Sequence, residues 1–221
     1  MAANAFLKRI REDFEFRTYI TSTVSFVVSL AFAAYNIFLG AAYKTVWNVG
    51  IAVYYLLLVG VRAFVGYKEI KFKKTGLSVE EKEERRKNVY LVQSITLFLI
   101  DLALTGPITI MVMQGKSVNY SEIPAIAVAA YSVFKIVTSS VSYAKTRKFS
   151  NLGVTALKNV NFIDALVSVL TLQYTLLMTF GDGIKGDMFT LCAVSSFAIL
   201  ALLIAVSVTN LVKAINIKKA V

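Results

Sequence analysis

The chain contains no histidine and one cysteine, Cys192. Without histidine it lacks the usual general base at neutral pH and the commonest haem and zinc ligand. A lone cysteine excludes an intrachain disulfide and a thiolate metal cluster. Proline occurs only twice in 221 residues, and charged side chains make up 17% of them, against about a quarter in soluble domains. Acidic residues are scarce: 13 Asp and Glu face 24 Lys and Arg, for a net charge of +11. The alternating pattern of an outer-membrane barrel is missing. So is any basic patch interleaved with aromatics outside the loops, so no nucleic-acid partner is expected.

What is present is apolar length. The chain is 57% hydrophobic with a mean hydropathy of +0.67. A spanning helix needs about 20 mostly apolar residues, and six such runs can be read, over 18–40, 46–66, 89–113, 123–143, 159–180 and 188–212. These leave no room for a soluble domain. The first run follows a charged arm, is too long for the apolar region of a signal peptide, and reads as a retained helix. Nineteen of the 24 Lys and Arg fall in the amino-terminal arm, the second and fourth connections and the tail. Only Lys44, Lys116 and Lys185 lie on the opposite side, so the basic side and both termini are expected in the cytoplasm. The fold class is therefore all-α integral membrane, multi-pass, in a plasma membrane. Residues 1–17 form an arm, 114–122 an external loop and 213–221 a basic tail. Over residues 4–16, Phe6, Ile10 and Phe14 recur every four residues among Lys and Arg, as in a helix lying in the interface; a frayed arm is the alternative. Ser78-Val79-Glu80-Glu81 has the form of a capping box, so the third helix should begin near Val79 and run unbroken into the membrane. Glu81–Arg85 and Glu83–Lys87 have the spacing of i,i+4 pairs.

Short segments recur in order. Ala33-Ala34-Tyr35-Asn36-Ile37-Phe38 returns as Ala129-Ala130-Tyr131-Ser132-Val133-Phe134, and Asn48-Val49-Gly50-Ile51-Ala52 as Asn151-Leu152-Gly153-Val154-Thr155. The matches pair span one with four and two with five. They divide the chain into two three-helix repeats, 18–113 and 123–212. Three spans per unit force the halves into opposite orientations, an arrangement frequent in secondary transporters.

Charges within a span are costly and tend to mark function. Four occur: Arg62, Asp101, Lys135 and Asp164. At 1.5 Å per residue, Arg62 and Asp164 lie about 8 Å from the cytoplasmic ends of their spans, Lys135 about 12 Å and Asp101 about 18 Å. Lys135 and Asp164 are expected to form an ion pair; Arg62 is near enough to its end to snorkel. Asn161, Asp164, Ser168, Thr171, Thr175 and Thr179 share one face of span five, and Ser132, Lys135, Ser139 and Ser142 one face of span four. Span three offers Ser94, Asp101 and Thr105 before Gly106-Pro107, which should kink it. Span six is the poorest in polar residues and should face lipid most. Packing glue between helices is the structural alternative for the Ser and Thr residues. No partner for Asp101 is found at its own depth, which leaves it either neutral or lining a wet cavity.

The segments at 52–62 and 164–173, AVYYLLLVGVR and DALVSVLTLQ, resemble an uncharacterised family of small six-span proteins from Gram-positive bacteria. More distantly, the layout is similar to the membrane domain of cation diffusion facilitators, whose fifth helix carries an Asp-x-x-x-Ser run like Asp164 to Ser168. That family sets a His or Asp one turn before this aspartate, where Val160 stands here, and a matching pair on helix two, which here has no carboxylate. The resemblance implies the scaffold, a bacterial inner membrane and a homodimer, but not the metal site; no cofactor is expected.

The expected function is transport of a small ion or solute by a secondary transporter or permease. Asp101 and Asp164 would bind a cation or proton, Lys135 would be the competing counter-charge, and Ser168, Thr105 and Asn161 would lie along the pathway. A non-transporting scaffold, sensor or accessory subunit is the alternative, its basic loops reading anionic lipids of the bilayer. No nucleophile–base pair is readable, so an enzyme is not expected.

Overall fold

The computed structural model describes residues 14–76, 78–114, 122–146, 151–180 and 187–219. Among them the chain forms seven helices and no strand: α1 Phe14–Tyr43, α2 Val46–Lys74, α3 Val79–Ala103, α4 Thr105–Gln114, α5 Glu122–Thr146, α6 Leu152–Phe180 and α7 Asp187–Lys219. Five stretches are long and apolar enough to cross a membrane, with α3 and α4 counted as one. The sixth expected span, α5, is a 25-residue helix, and Val128–Val141 within it is a further apolar stretch among the described residues. Most of the arm, 1–13, and most of the external loop, 115–121, lie outside the described residues. The tail continues α7 as helix through Lys219.

Local chemistry explains the helix ends. Lys44 has φ 53, the left-handed cap that stops a helix, and α2 starts two residues later. A connection this short makes α1 and α2 antiparallel neighbours. Ser78 accepts from the Glu81 amide while the Glu81 carboxylate accepts from the Ser78 amide, completing the expected capping box at the start of α3. Glu81–Arg85 and Glu83–Lys87 are not among the ion pairs of the described residues; Arg86 reaches across to Glu69 of α2 instead, at 2.8 Å. Pro107 cannot donate to Ala103, four residues back, and its ring crowds that carbonyl. The helix accordingly breaks there, α3 ending at Ala103 and α4 beginning at Thr105.

The central element is α6. Gly153 to Val167 is buried nearly without interruption, and the buried positions surround the helix rather than forming a stripe, the pattern of a helix enclosed by others. It packs against α1, α2, α3, α5 and α7. The main apolar core runs from Trp47, Tyr55 and Leu58 of α2 through Leu97 and Leu104 to Ile163, Leu170 and Leu203. A smaller one, around Val65, Phe72, Tyr90 and Leu157, closes the end where the second basic connection lies. Two repeat glycines mark close approaches. A Cβ on Gly50 would lie 2.6 Å from the Pro107 ring, and one on Gly153 would overlap the Glu69 carboxylate. As expected of the span that faces lipid most, α7 shares with α1 the smallest buried fraction of the five spans, 28%; its inner face packs along α3 and buries Ser196, Leu203, Ser207, Asn210 and Ala214.

Candidate functional site

Asp164 sits on the inward face of the enclosed helix and is fully buried. Its Oδ1 pairs with Lys135 of α5, the expected ion pair. Its Oδ2 accepts from Arg62 of α2 and from Ser29 of α1, the latter at 2.8 Å. Arg62 does not snorkel: it is only 3% exposed, because its guanidinium finds acceptors on two helices, α1 and α6. Besides Asp164 it donates to Asn161 Oδ1 at 3.1 Å, to Ser29 Oγ at 2.8 Å and to the Ser25 carbonyl at 3.3 Å. Asn161 in turn donates to Ser22 at 3.4 Å. Two cations thus share one carboxylate, and the cluster holds a net charge of +1 in a setting where an unpaired charge is expensive. Arg62 and Asp164 lie at the same expected distance from the membrane edge, about 8 Å, so their pairing was legible in the sequence; the reach of Arg62 to its helix end had suggested snorkelling instead.

An aromatic layer closes one side of the cluster. The Lys135 ammonium lies 5.0 Å from the Tyr131 ring centre and 5.8 Å from that of Tyr55, within cation–π range. Phe32 stacks on Tyr131 at 4.4 Å and leans on Tyr55 at 5.8 Å. On the other side, toward the basic connections, two grooves reach the same residues. One of about 600 Å³ runs between α1 and α2 past Ser22, Phe26, Gly66 and Glu69 to Arg62. The other, about 610 Å³, runs between α1 and α5 past Ser25, Val137 and Ser139 to Lys135 and Asn161, with Tyr131 of the aromatic layer also in its wall. At 100° per residue, the α1 positions lining the two grooves lie on opposite flanks of that helix. α1 therefore stands between them, tied to the centre by Ser22, Ser25 and Ser29.

Asp101 is a separate site. It is fully buried, accepts from the Tyr54 hydroxyl at 2.6 Å and from Ser207 of α7, and lines neither groove. The partner not found at its depth in the sequence comes from α7, the helix read as least polar. A signal was available: Ser196 and Ser207 are eleven residues apart and so share a face of a helix.

The remaining sequence candidates divide. Asn161 belongs to the Asp164 cluster. Ser168 is buried and donates within its own helix to the Ala165 carbonyl at 2.6 Å, while Ser132 donates to the Ser168 carbonyl at 2.9 Å. Thr171 and Thr175 likewise donate to carbonyls one turn back, the role of packing glue. Thr105, half-buried at the start of α4, touches neither cluster through a hydrogen bond. Among the described residues no group of three or more Asp, Glu or Cys is placed to hold a metal ion. No protein-family model, curated protein or solved structure matches this chain. Its function is therefore read from this geometry alone.

Proposed function

We propose that the protein is a secondary transporter or permease of a small ion or solute, centred on Arg62, Asp164 and Lys135. The observation that supports this most is the one-sided access to a buried charge cluster. The rings of Phe32, Tyr55 and Tyr131 cover it on one side, and grooves on both flanks of α1 lead to its cations on the other. An alternating-access cycle needs such an asymmetry, with a site near the bundle centre closed toward one face. Orientation by the positive-inside rule makes this the inward-facing state, with both termini cytoplasmic. Lys135 is the displaceable member: an incoming cation would take its position on Oδ1 of Asp164, while Arg62 keeps Oδ2. α1 is bound to the centre through Ser29 and the Ser25 carbonyl, so a change in the charge at Asp164 would alter how tightly it closes. Asp101, bonded on both oxygens and away from the grooves, acts in this scheme as a tie between α2, α3 and α7.

An inverted repeat agrees with the packing in part. The close pair α1–α2 has its counterpart in α5–α6, and contacts between α2 and α3 are matched by those between α6 and α7. The recurrent Gly50 and Gly153 both lie within the first five residues of their helices, each against a neighbouring element.

The test is dye-reported flux of protons, sodium, potassium and chloride into proteoliposomes under an imposed membrane potential. The wild-type protein should move at least one of them, and Asp164→Asn, checked for folding by size-exclusion chromatography, should abolish the movement. Transport of none, or equal transport by a folded Asp164→Asn variant, would overturn the proposal in favour of a scaffold or accessory subunit.

A further inference from the structure

Asp164 has two cations against its carboxylate, whereas among the described residues no Lys or Arg pairs with Asp101. Asp101 meets two hydroxyls instead, Tyr54 of α2 and Ser207 of α7. The adjoining α4 carries no ionisable side chain, Arg62 of α2 is committed to Asp164, and the charge of Asp164 on α6 bears on Tyr54. A hydroxyl donates to a carboxylate and accepts from a carboxylic acid, so these contacts hydrogen-bond either form of Asp101. The polar line continues toward the basic end. Tyr90 and Ser94 lie on the face of α3 that carries Asp101, and Asn210 follows one turn after Ser207 on α7. The two helices run antiparallel, with Ser207 against Asp101 and Ala214 in the cluster of Val89 and Tyr90. Measured along the axis from Asp101, Asn210 stands about 4.5 Å toward the basic end, Ser94 about 10 Å and Tyr90 about 16 Å. Gln93, beside Ser94, donates to the Ala156 carbonyl of α6 at 3.3 Å, and Asn159 donates to the Tyr90 hydroxyl at 3.3 Å. Gln93 and Ser94 are each 1% exposed and Asn210 5%. Even so, Oε1 of Gln93, Oγ of Ser94 and Nδ2 of Asn210 have no hydrogen-bond partner among the described residues. Unsatisfied buried groups are costly, and a buried water, which takes about three polar partners, removes that cost. The levels of the line are separated by about 5–6 Å, the reach of one water hydrogen-bonded on both sides.

We propose that Asp101 is a proton-binding site, supplied from the basic end of the bundle through waters held at Tyr90, Gln93, Ser94 and Asn210. A proton from the aqueous side enters near Tyr90, and each water that receives one passes another of its own to the next. The last proton adds to a carboxylate oxygen of Asp101, which becomes neutral, and the waters are left as they began. The acid then donates to one of its two hydroxyl neighbours, which turns to accept. Because Tyr54 and Ser207 tie α3 to α2 and α7, the proton resets one of these ties. The site lies apart from Asp164 and does not require that cluster to transport anything.

The experiment is infrared spectroscopy of the full-length protein in lipid bilayers, with carbon-13 in its aspartate carboxyls, as a function of pH and on transfer to heavy water. The expected result is a protonated-carboxyl band that grows as pH falls, shifts in heavy water and is absent from Asp101→Asn. Asp101→Glu keeps an acid at the position; there the band should lose its isotope shift, which secures the assignment if Asp101→Asn fails to fold. Ser94→Ala and Asn210→Leu should each slow the heavy-water shift about tenfold, the equivalent of one hydrogen bond in the line. Ser94→Ala should also lower stability in micelles, since a hydroxyl that holds water contributes to the fold and an unsatisfied one costs. Absence of an Asp101 band at every pH at which the protein stays folded would overturn the proposal. So would a band that does not respond to heavy water, a response as fast in both variants as in the wild type, or a Ser94→Ala variant more stable than the wild type.

Discussion

Replacing Asp164 with Asn preserves the side-chain volume and removes the one negative charge from a cluster of three. Arg62 and Lys135, with side chains 2% and 6% exposed, are then left as two buried cations without a counter-charge. Breaking a buried pair by deleting one partner costs about 3–5 kcal/mol, and here two partners are stranded, so the upper end of that range is expected. Lys135→Met does the reverse. It removes the surplus charge, leaves Arg62 and Asp164 matched, and exposes only Oδ1 to the loss of a partner, a cost of about 1–3 kcal/mol at most. The sequence alone would have treated the two changes alike, since each breaks the same ion pair; the presence of Arg62 separates them by about 2 kcal/mol. The double variant sharpens the test, because its cluster returns to the wild-type charge of +1. Lys135→Met should therefore destabilise the wild-type protein but stabilise Asp164→Asn, a coupling of the size found for residues in one network, about 0.5–3 kcal/mol. Unfolding in mixed micelles of increasing dodecyl sulfate fraction, followed by helical circular dichroism, measures all four corners of the cycle. Equal destabilisation by Lys135→Met and Asp164→Asn, or additive effects in the double variant, would refute the account of a shared carboxylate.

Two further predictions concern packing and the second carboxylate. Gly50→Ala and Gly153→Ala should each destabilise the fold by about 1–3 kcal/mol, in the same micelle assay, since one new methyl meets the rigid Pro107 ring and the other a Glu69 pinned by Arg86. Gly60→Ala, with open space around it, should be neutral or slightly stabilising as a control. Tyr54→Phe removes only a hydroxyl but leaves Oδ1 of Asp101 without its donor, so a loss of about 1–3 kcal/mol is expected; a variant as stable as wild type would show that Asp101 does not tie α2 to α3.

Composition and periodicity determined the membrane class and most of the helices, because a span's length and apolarity are properties of a contiguous segment. The same holds for the cap at Ser78 and the break before Pro107, where the chemistry lies within four residues. They also located every charge of the central cluster, since placing a charge in a span is costly wherever the helix is packed. Which charges meet was decided only by tertiary structure. Arg62 could have turned to the membrane edge; it turns inward because α6 and α1 bring Asp164, Asn161 and Ser29 within its reach. Asp101 appeared unpartnered because its second donor, Ser207, lies 106 residues away on a helix with few polar positions. The aromatic cover and the two grooves are likewise products of helix arrangement, as no local pattern records which rings will face one another across three helices. A sequence lists the charges a bilayer must tolerate, but the rotation and pairing of the helices choose their partners, because low dielectric rewards only those contacts whose geometry is satisfied.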